Sequence, residues 1–321
     1  HQGECVAIIG ESGSGKSVEA LSILRLVPFP PGLIVGGQVL FHGQDLMQMS
    51  DEEIRKIRGS KISMIFQEPS TALNPVIPIG KQIAETLRVH RSMGKKEAMA
   101  EAVELLRRVN IPNPEQRVKQ YPFESSGGMQ QRAMIAMAMA CNPDILIADE
   151  PTTALDVTVQ AQVLEELNKM RQETNTALII ITHNLGVVAR YADSVKIVYG
   201  GKVVEEGDPY DIFEHPHHPY TLGLIRAVPR LDRPKEAGLA SIEGDPPDMS
   251  KIPADCCAFY PRCRYCTEEC RTQRPEPRQV ESASGIHWCS CFHLDQTGAE
   301  REELMKLNED SLQNIQEEAR T

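Results

Sequence analysis

Residues 5–9, Cys-Val-Ala-Ile-Ile, run directly into Gly10-Glu-Ser-Gly-Ser-Gly15-Lys16-Ser17, and no other stretch of the chain restricts its fold so tightly. A short apolar run of this kind is a buried strand, and Val18 to Leu26 then reads as a helix. The glycine-rich segment is therefore a loop between a strand and a helix N-terminus. That terminus presents unpaired backbone N–H groups, and glycines let an anion approach them without obstruction. Gly10, Ser12, Gly13, Ser14 and Gly15 are thus expected to cradle phosphates, Lys16 to reach the β and γ oxygens, and Ser17 to ligate Mg²⁺. The fold class that accommodates such a loop is α/β.

Further apolar runs of strand type lie at 145–148 and 177–182, while 194–199 and 202–206 flank a Gly200-Gly201 turn in the manner of a hairpin. The run Ile145-Leu-Ile-Ala ends in Asp149-Glu150. A buried strand would fix Asp149 near the Mg²⁺ of the phosphate loop, and the next carboxylate can face an attacking water. Ser126-Gly127-Gly128-Met129-Gln130 precedes a helical run from Arg132 to Ala140, a second helix start free of bulky side chains; in isolation it reads as a helix cap. Met99, Val103, Leu106 and Val109 recur at helical spacing and predict one apolar helix face. Residues 1–67 and 136–228 are read as one α/β core, with 68–135 as a helical insertion. Beyond the core, 229–294 is rich in Pro and Cys and forms a separate module, and 295–321 is a charged, solvated tail.

Composition narrows the function classes. With 34 Lys+Arg against 45 Asp+Glu the net charge is −11, which argues against a basic face for nucleic acid. No run approaches the length of a bilayer span, so a membrane role must pass through a partner. The opening His1-Gln2-Gly3-Glu4 has neither an initiator Met nor a signal, and the expectation is an N-terminally truncated cytosolic chain. Of nine cysteines, Cys256, Cys257, Cys263, Cys266, Cys270, Cys289 and Cys291 crowd together near the C-terminus. In an acidic cytosolic chain such a cluster is more often a metal or iron-sulfur site than a disulfide framework.

Taken in order, the phosphate loop, Gln67, Ser126-Gly127-Gly128, Asp149-Glu150, Ala154-Leu-Asp156 and His183 resemble the ATPase subunit of an ABC transporter. Gln67-Glu-Pro-Ser-Thr-Ala-Leu-Asn-Pro75, His215-Pro-His-His-Pro-Tyr-Thr221, Gly244-Asp-Pro-Pro247 and Phe259-Tyr-Pro-Arg-Cys263 resemble the oligopeptide/dipeptide-permease branch in particular. The resemblance implies a RecA-like P-loop core, an ABC-type helical subdomain and a small Cys-rich C-terminal module. It implies that Gln67 touches Mg²⁺ and the lytic water, that Glu150 orients or deprotonates that water, and that His183 holds the γ-phosphate. Ser126, Gly127 and Gly128 would act in trans on ATP bound to a second ATPase subunit, with Asp156 where that contact is coupled. It places the aromatic residue that stacks on adenine ahead of His1.

Two departures stand inside these motifs. Ser125 occupies a position that is usually Leu, which removes an apolar anchor, and Asn184 follows His183 where Asp is usual. In the module, Cys257, Cys263, Cys270 and Cys291 match the spacing that the branch uses for a 4Fe-4S cluster, and four thiolates suit one; Cys263-x2-Cys266 would also suit half of a Zn²⁺ site. The expected protein is the ATPase subunit of a di- or oligopeptide importer, peripheral on the cytoplasmic face of the cell membrane. Its partners would be a second ATPase subunit, two transmembrane permease subunits and, indirectly, a solute-binding protein. The alternatives are a nickel or other small-solute importer ATPase and a soluble non-transport ABC ATPase, and the single cassette without long heptads counts against the latter.

Overall fold

A computed structural model describes residues 1–153, 155–228, 241–246, 248, 251–283, 285–298 and 300–302. Ala154, Pro247, the 229–240 part of the module and the 303–321 part of the tail lie outside the described residues. The chain divides into two units, His1–Val6 with Ser17–Thr182 and Ala7–Lys16 with His183–Thr321. The first strand, β1 (Cys5–Ile9), contributes its first two residues to one unit and the rest to the other.

In the first unit the elements are α1 (Lys16–Ile23, from its second residue), β2 (Leu40–Phe41), β3 (Gln44–Asp45), α2 (Asp51–Ile57), β4 (Ile62–Ile65), α3 (Pro69–Ala72), α4 (Ile79–Arg91), α5 (Lys95–Arg108), α6 (Pro114–Arg117), α7 (Gly127–Met139), β5 (Ile145–Asp149), α8 (Val157–Thr174) and β6 (Ala177–Ile181). The sheet runs β4-β5-β6-β1. The β4–β5 and β5–β6 pairings are both parallel, with Ile62 to Ile65 against Ile145 to Ala148 and Ile145 to Asp149 against Ala177 to Ile181. Continuous apolar strands are what a parallel sheet covered on both faces requires, and all four residues of β4 are buried. Because β5 and β6 run parallel, Asp149 and Glu150 emerge at the carboxyl edge of the sheet, where α/β proteins place their ligands.

The helical segment of this unit follows the sequence pattern with one shift. On α5 the buried residues are Ala98, Ala102, Leu105 and Leu106, with Val109 beyond the helix end, while Met99 and Val103 are half-buried. The face that turns inward is centred about one position away from the expected stripe, because two alanines allow a close neighbour where Met and Val would hold it off. Gly80 on α4 marks another close approach: a Cβ there would lie 2.0 Å from Val118 Cγ2. The helix α7 is buried nearly all round, from Gln131 to Met139 apart from Met137. It begins at Gly127 rather than near Arg132. Its Arg132 is neutralised by Glu166 and donates to Val109 O at 3.0 Å and Gln162 Oε1 at 3.0 Å, as a buried cation must.

The second unit contains the rest of β1, α9 (Leu185–Tyr191), β7 (Ser194–Tyr199), β8 (Lys202–Gly207), α10 (Pro209–Glu214), α11 (Pro219–Arg226), α12 (Glu268–Thr272), β9 (Arg278–Gln279) and β10 (Trp288–Cys289). Its strands are ordered β1-β7-β8-β10-β9. The hairpin expected at Gly200-Gly201 forms, with β7 antiparallel to β8 and both glycines at positive φ, 58° and 71°. Paired positive φ values are what a type I′ turn needs, and glycine supplies them without strain. The strand β10 extends the antiparallel set by pairing Trp288 with Glu206 and Cys289 with Glu205. Among the described residues no helix is long and apolar enough to cross a membrane.

Candidate functional site

The first unit holds a hydroxyl and two carboxylates at the carboxyl edge of its parallel strands. Ser17 Oγ, on the first turn of α1, donates to Asp149 Oδ1 at 3.1 Å. Asp149 is buried at the end of β5. A hydroxyl beside a carboxylate is a pair of hard oxygen donors, the chemistry that Mg²⁺ prefers.

Next to Asp149 the backbone turns sharply. Glu150 has φ +46°, a left-handed conformation that an L residue adopts only under constraint. That constraint is visible: Glu150 N–H donates to Ile181 O at 2.9 Å, and its carboxylate accepts from Gln67 Nε2 at 3.0 Å and Thr153 Oγ1 at 2.9 Å. Strand β4 ends at Ile65, so Gln67 arrives at the same edge just past the strand and remains exposed. Sequence reasoning missed Thr153, since nothing separates it from any threonine in a turn until the fold closes.

Ser126 is the N-cap of α7, yet its side chain makes no capping hydrogen bond, and both Ser126 and Gly127 are exposed. The amide end of a long buried helix is therefore presented without a side-chain cap. Gly128 faces α8, where an added Cβ would come within 3.1 Å of Val159 Cγ1. One residue before the cap, Ser125 Oγ is buried without a hydrogen-bond partner. Asp156 is exposed and caps α8, accepting from Val159 N–H at 3.0 Å.

In the second unit the phosphate loop is closed on itself. Lys16 Nζ donates to Gly10 O at 2.8 Å, Glu11 O at 2.9 Å and Ser14 Oγ at 3.2 Å. Gly10 admits no side chain, because a Cβ would stand 2.2 Å from Val198 O. Gly13 and Gly15 have φ of +80° and +100° and give the loop its concave amide face. Ser12 and Gly13 are exposed, whereas Ser14 and Lys16 are buried. His183 is exposed at the start of this unit's main segment. Asn184 accepts from Gly186 N–H at 3.0 Å and Val187 N–H at 3.3 Å, so it caps α9 as an aspartate would.

The cysteine module lies in the same unit. All nine cysteines are free. Cys257 N–H donates to Cys270 O at 3.0 Å. Burial pushes the Cys257 thiol up to about 12, with Cys270 and Cys263 adding to the effect, and pushes Cys263 and Cys291 up to about 11, each again with Cys270 among its neighbours. The four cysteines singled out by spacing are thus mutual neighbours. Among the described residues, however, no group of three or more His, Cys, Asp or Glu side chains is arranged to hold a metal ion.

A second buried polar cluster carries no signal in the sequence. Glu205 and His287 are both fully buried, with His287 Nε2 2.9 Å from Glu205 Oε1. Glu205 also accepts the His217 and His218 N–H groups at 2.6 and 3.0 Å. Burial opposes its charge, but these partners more than compensate and hold the carboxyl below its usual range. The motif His215 to Thr221 thereby has a structural role, since two of its amides stabilise a carboxylate buried in β8.

A strand-to-helix phosphate loop in one unit and, in the other, a hydroxyl–carboxylate pair followed by a constrained second carboxylate at the sheet edge are each features of a P-loop nucleoside triphosphatase. The family model described as "ABC transporter" matches residues 1–153, and the one described as "Oligopeptide/dipeptide transporter, C-terminal region" matches 204–270. The chain is 47% identical over 315 residues to the oligopeptide transport ATP-binding protein OppD of Bacillus subtilis, covering 98% of this chain and 87% of that protein. It is 49% identical over 296 residues to the dipeptide transport ATP-binding protein DppD of the same organism, covering 92% and 87%. A solved ATP-binding cassette, dimeric in a post-hydrolysis state with ADP and Pi, superposes with a TM-score of 0.58 at 29% identity, covering 65% of this chain and 87% of that one. The chain belongs to the ATP-binding proteins of ABC transporters, in their oligopeptide/dipeptide branch.

Proposed function

We propose that this chain binds and hydrolyses MgATP to drive the import of di- or oligopeptides through partner membrane subunits. The observation that carries the hydrolytic part is Glu150, held at φ +46° with its carboxylate between Gln67 and Thr153. Such strain is retained where a side chain must be aimed, and here it is aimed at the carboxyl edge of the sheet. The peptide part rests on the names of the relatives, which favour it over a nickel or other small solute and over a soluble ATPase without transport.

In this reading the amides of Gly10 to Gly15 and Lys16 hold the β- and γ-phosphates, and Ser17, Asp149 and Gln67 would hold Mg²⁺, which would neutralise charge on the transferring phosphoryl group. Glu150 orients the lytic water and takes its proton, Gln67 keeps that carboxylate and water in line, and His183 donates to a γ-phosphate oxygen. Ser126, Gly127 and Gly128 offer the bare start of α7 to nucleotide held by a second ATPase subunit, with Asp156 beside that contact. The dimeric form of the solved cassette supports a paired arrangement. Two transmembrane permease subunits and a solute-binding protein complete the assembly, with this subunit peripheral at the cytoplasmic face.

The domain reading keeps 1–67 and 136–228 as the nucleotide core, 68–135 as the helical subdomain and 229–294 as the C-terminal module. Within that module we assign Cys257, Cys263, Cys270 and Cys291 to a 4Fe-4S cluster, with Zn²⁺ the competing occupant. Support comes from their free thiols and mutual proximity. The cluster would act as a cross-link, supplying cohesion that a short Pro-rich segment lacks. Reconstituting the chain with its permease subunits in vesicles tests the function: peptide uptake should require ATP hydrolysis, and uptake of peptide without ATP consumption would overturn the reading.

A further inference from the structure

The loop that closes around Lys16 is gripped from outside by residues far along the chain, all within the same unit. Arg262 forms a two-pronged contact with Glu11, the residue after Gly10: Nη1 lies 2.6 Å from Oε2 and Nη2 lies 3.3 Å from Oε1. The Arg262 side chain is only 5% exposed. Its remaining donors are used as well, with Nε on Glu243 O at 3.0 Å and Nη1 on Tyr199 Oη at 3.4 Å. The guanidinium fork is therefore fixed before it meets the carboxylate.

The backbone of the same residue is held separately. Glu11 N–H donates to Tyr220 Oη at 2.8 Å. Tyr220 is fully buried, and its ring meets Tyr199 edge-on at 4.6 Å and Phe259 at 5.5 Å. On the inner side, Glu11 O accepts from both Lys16 Nζ at 2.9 Å and Ser14 N–H at 3.2 Å. One residue thus links the outer clamp to the lysine that is to meet phosphate. Glu11 is not required by the phosphate-loop pattern, and neither Arg262 nor Tyr220 belongs to it.

We propose that Arg262 and Tyr220 are positioning residues for the phosphate loop: by fixing Glu11 they set the loop's closed geometry and hence its affinity for MgATP. Both lie in the segment 204–270 matched by the C-terminal family model, so that segment acts on nucleotide binding without touching nucleotide. Preorganisation is the physical basis. A loop already in its binding conformation spends none of the phosphate interaction on ordering itself. The inference rests on the ATPase reading above.

The test measures MgATP binding and steady-state hydrolysis by the full chain in its transporter, for the parent, Arg262→Gln, Arg262→Lys, Glu11→Gln, Tyr220→Phe and the Glu11→Gln/Arg262→Gln double variant. Arg262→Gln and Glu11→Gln should each weaken binding about tenfold, as loss of a charge-assisted pair does. The double variant should be no weaker than either single, because the two act through one contact. KM should rise by the same factor while kcat changes less than twofold, a split that general loss of stability would not produce. Arg262→Lys should restore charge without the fork and recover only part of the affinity. Tyr220→Phe removes one hydroxyl from a retained ring and should weaken binding even where the arginine variants fold poorly. Parent-like affinity in Glu11→Gln and Tyr220→Phe, or multiplying effects in the double variant, would overturn the proposal. A parent that binds no MgATP would instead overturn the ATPase reading, and this inference with it.

Discussion

Gln67 Nε2 donates a 3.0 Å hydrogen bond to Glu150 Oε2 across 83 positions of sequence. The bond holds the carboxylate in one orientation, so removing it should cost the aim of that group rather than nucleotide affinity. Gln67→Ala should leave MgATP affinity within about threefold of the parent and lower hydrolysis about tenfold or more. Parent-like hydrolysis in Gln67→Ala would separate Gln67 from the water-activating group.

Ser125 stands where an ABC signature usually carries an apolar anchor, and its buried Oγ has no hydrogen-bond partner. A buried hydroxyl without a partner costs about 1–3 kcal/mol. Ser125→Leu should raise stability by roughly 1–2 kcal/mol through added apolar burial, and Ser125→Ala should be neutral or slightly stabilising. Chemical denaturation of the three proteins decides it; a loss in both variants would mean that the hydroxyl is satisfied in solution.

Acid should destabilise the second unit in a defined window. Burial holds His217 and His218 down to about 4. Their unfolded pKa is near 6.5, so between about 6.5 and about 4 the unfolded chain binds more protons than the folded one. Stability therefore falls as pH is lowered through that range and is flat above it, by at most about 1.4 kcal/mol per unit for each histidine. Glu205, held below its ordinary value, adds a loss in the same direction at lower pH. Tyr220 N–H donates to His218 Nδ1 at 3.1 Å, which accepts only while unprotonated. His218→Asn keeps an acceptor for this cap and cannot titrate. Melting between pH 7.5 and 5 should shift less in that variant than in the parent; equal shifts would remove His218 as a source.

Anaerobically purified protein should contain about four iron and four sulfide per chain. Serine at Cys257, Cys263, Cys270 or Cys291 should bleach it. Serine at Cys256, Cys266 or Cys289 should not, and this contrast separates a four-thiolate site from general thiol chemistry. Stoichiometric zinc without iron would replace the assignment by a zinc-stapled module.

What is legible in the sequence is what local patterns encode. The phosphate loop, the Asp149-Glu150 strand end and the Gly200-Gly201 hairpin depend on neighbours a few residues apart, and each stands where its pattern implies. The buried face of α5 lies about one position from the expected stripe because hydrophobicity ranks Met99 and Val103 above Ala98 and Ala102, whereas close helix approach selects the smaller residues. Likewise α1 ends at Ile23, short of Leu26, with Arg25 at φ +52° breaking the helix. The strained backbone of Glu150, the Arg262–Glu11 fork and the Glu205–His287 pair leave no trace in the sequence, since each joins segments whose adjacency only the folded chain creates.

Glu150→Gln, in the transporter assembled with peptide substrate, tests most directly whether Glu150 activates water at an ATP site. The substitution keeps size and hydrogen bonding while removing the base. MgATP affinity should stay within about threefold of the parent, while hydrolysis and peptide uptake fall by about 100-fold or more. Turnover within a factor of two of the parent, with uptake intact, would contradict that role for Glu150.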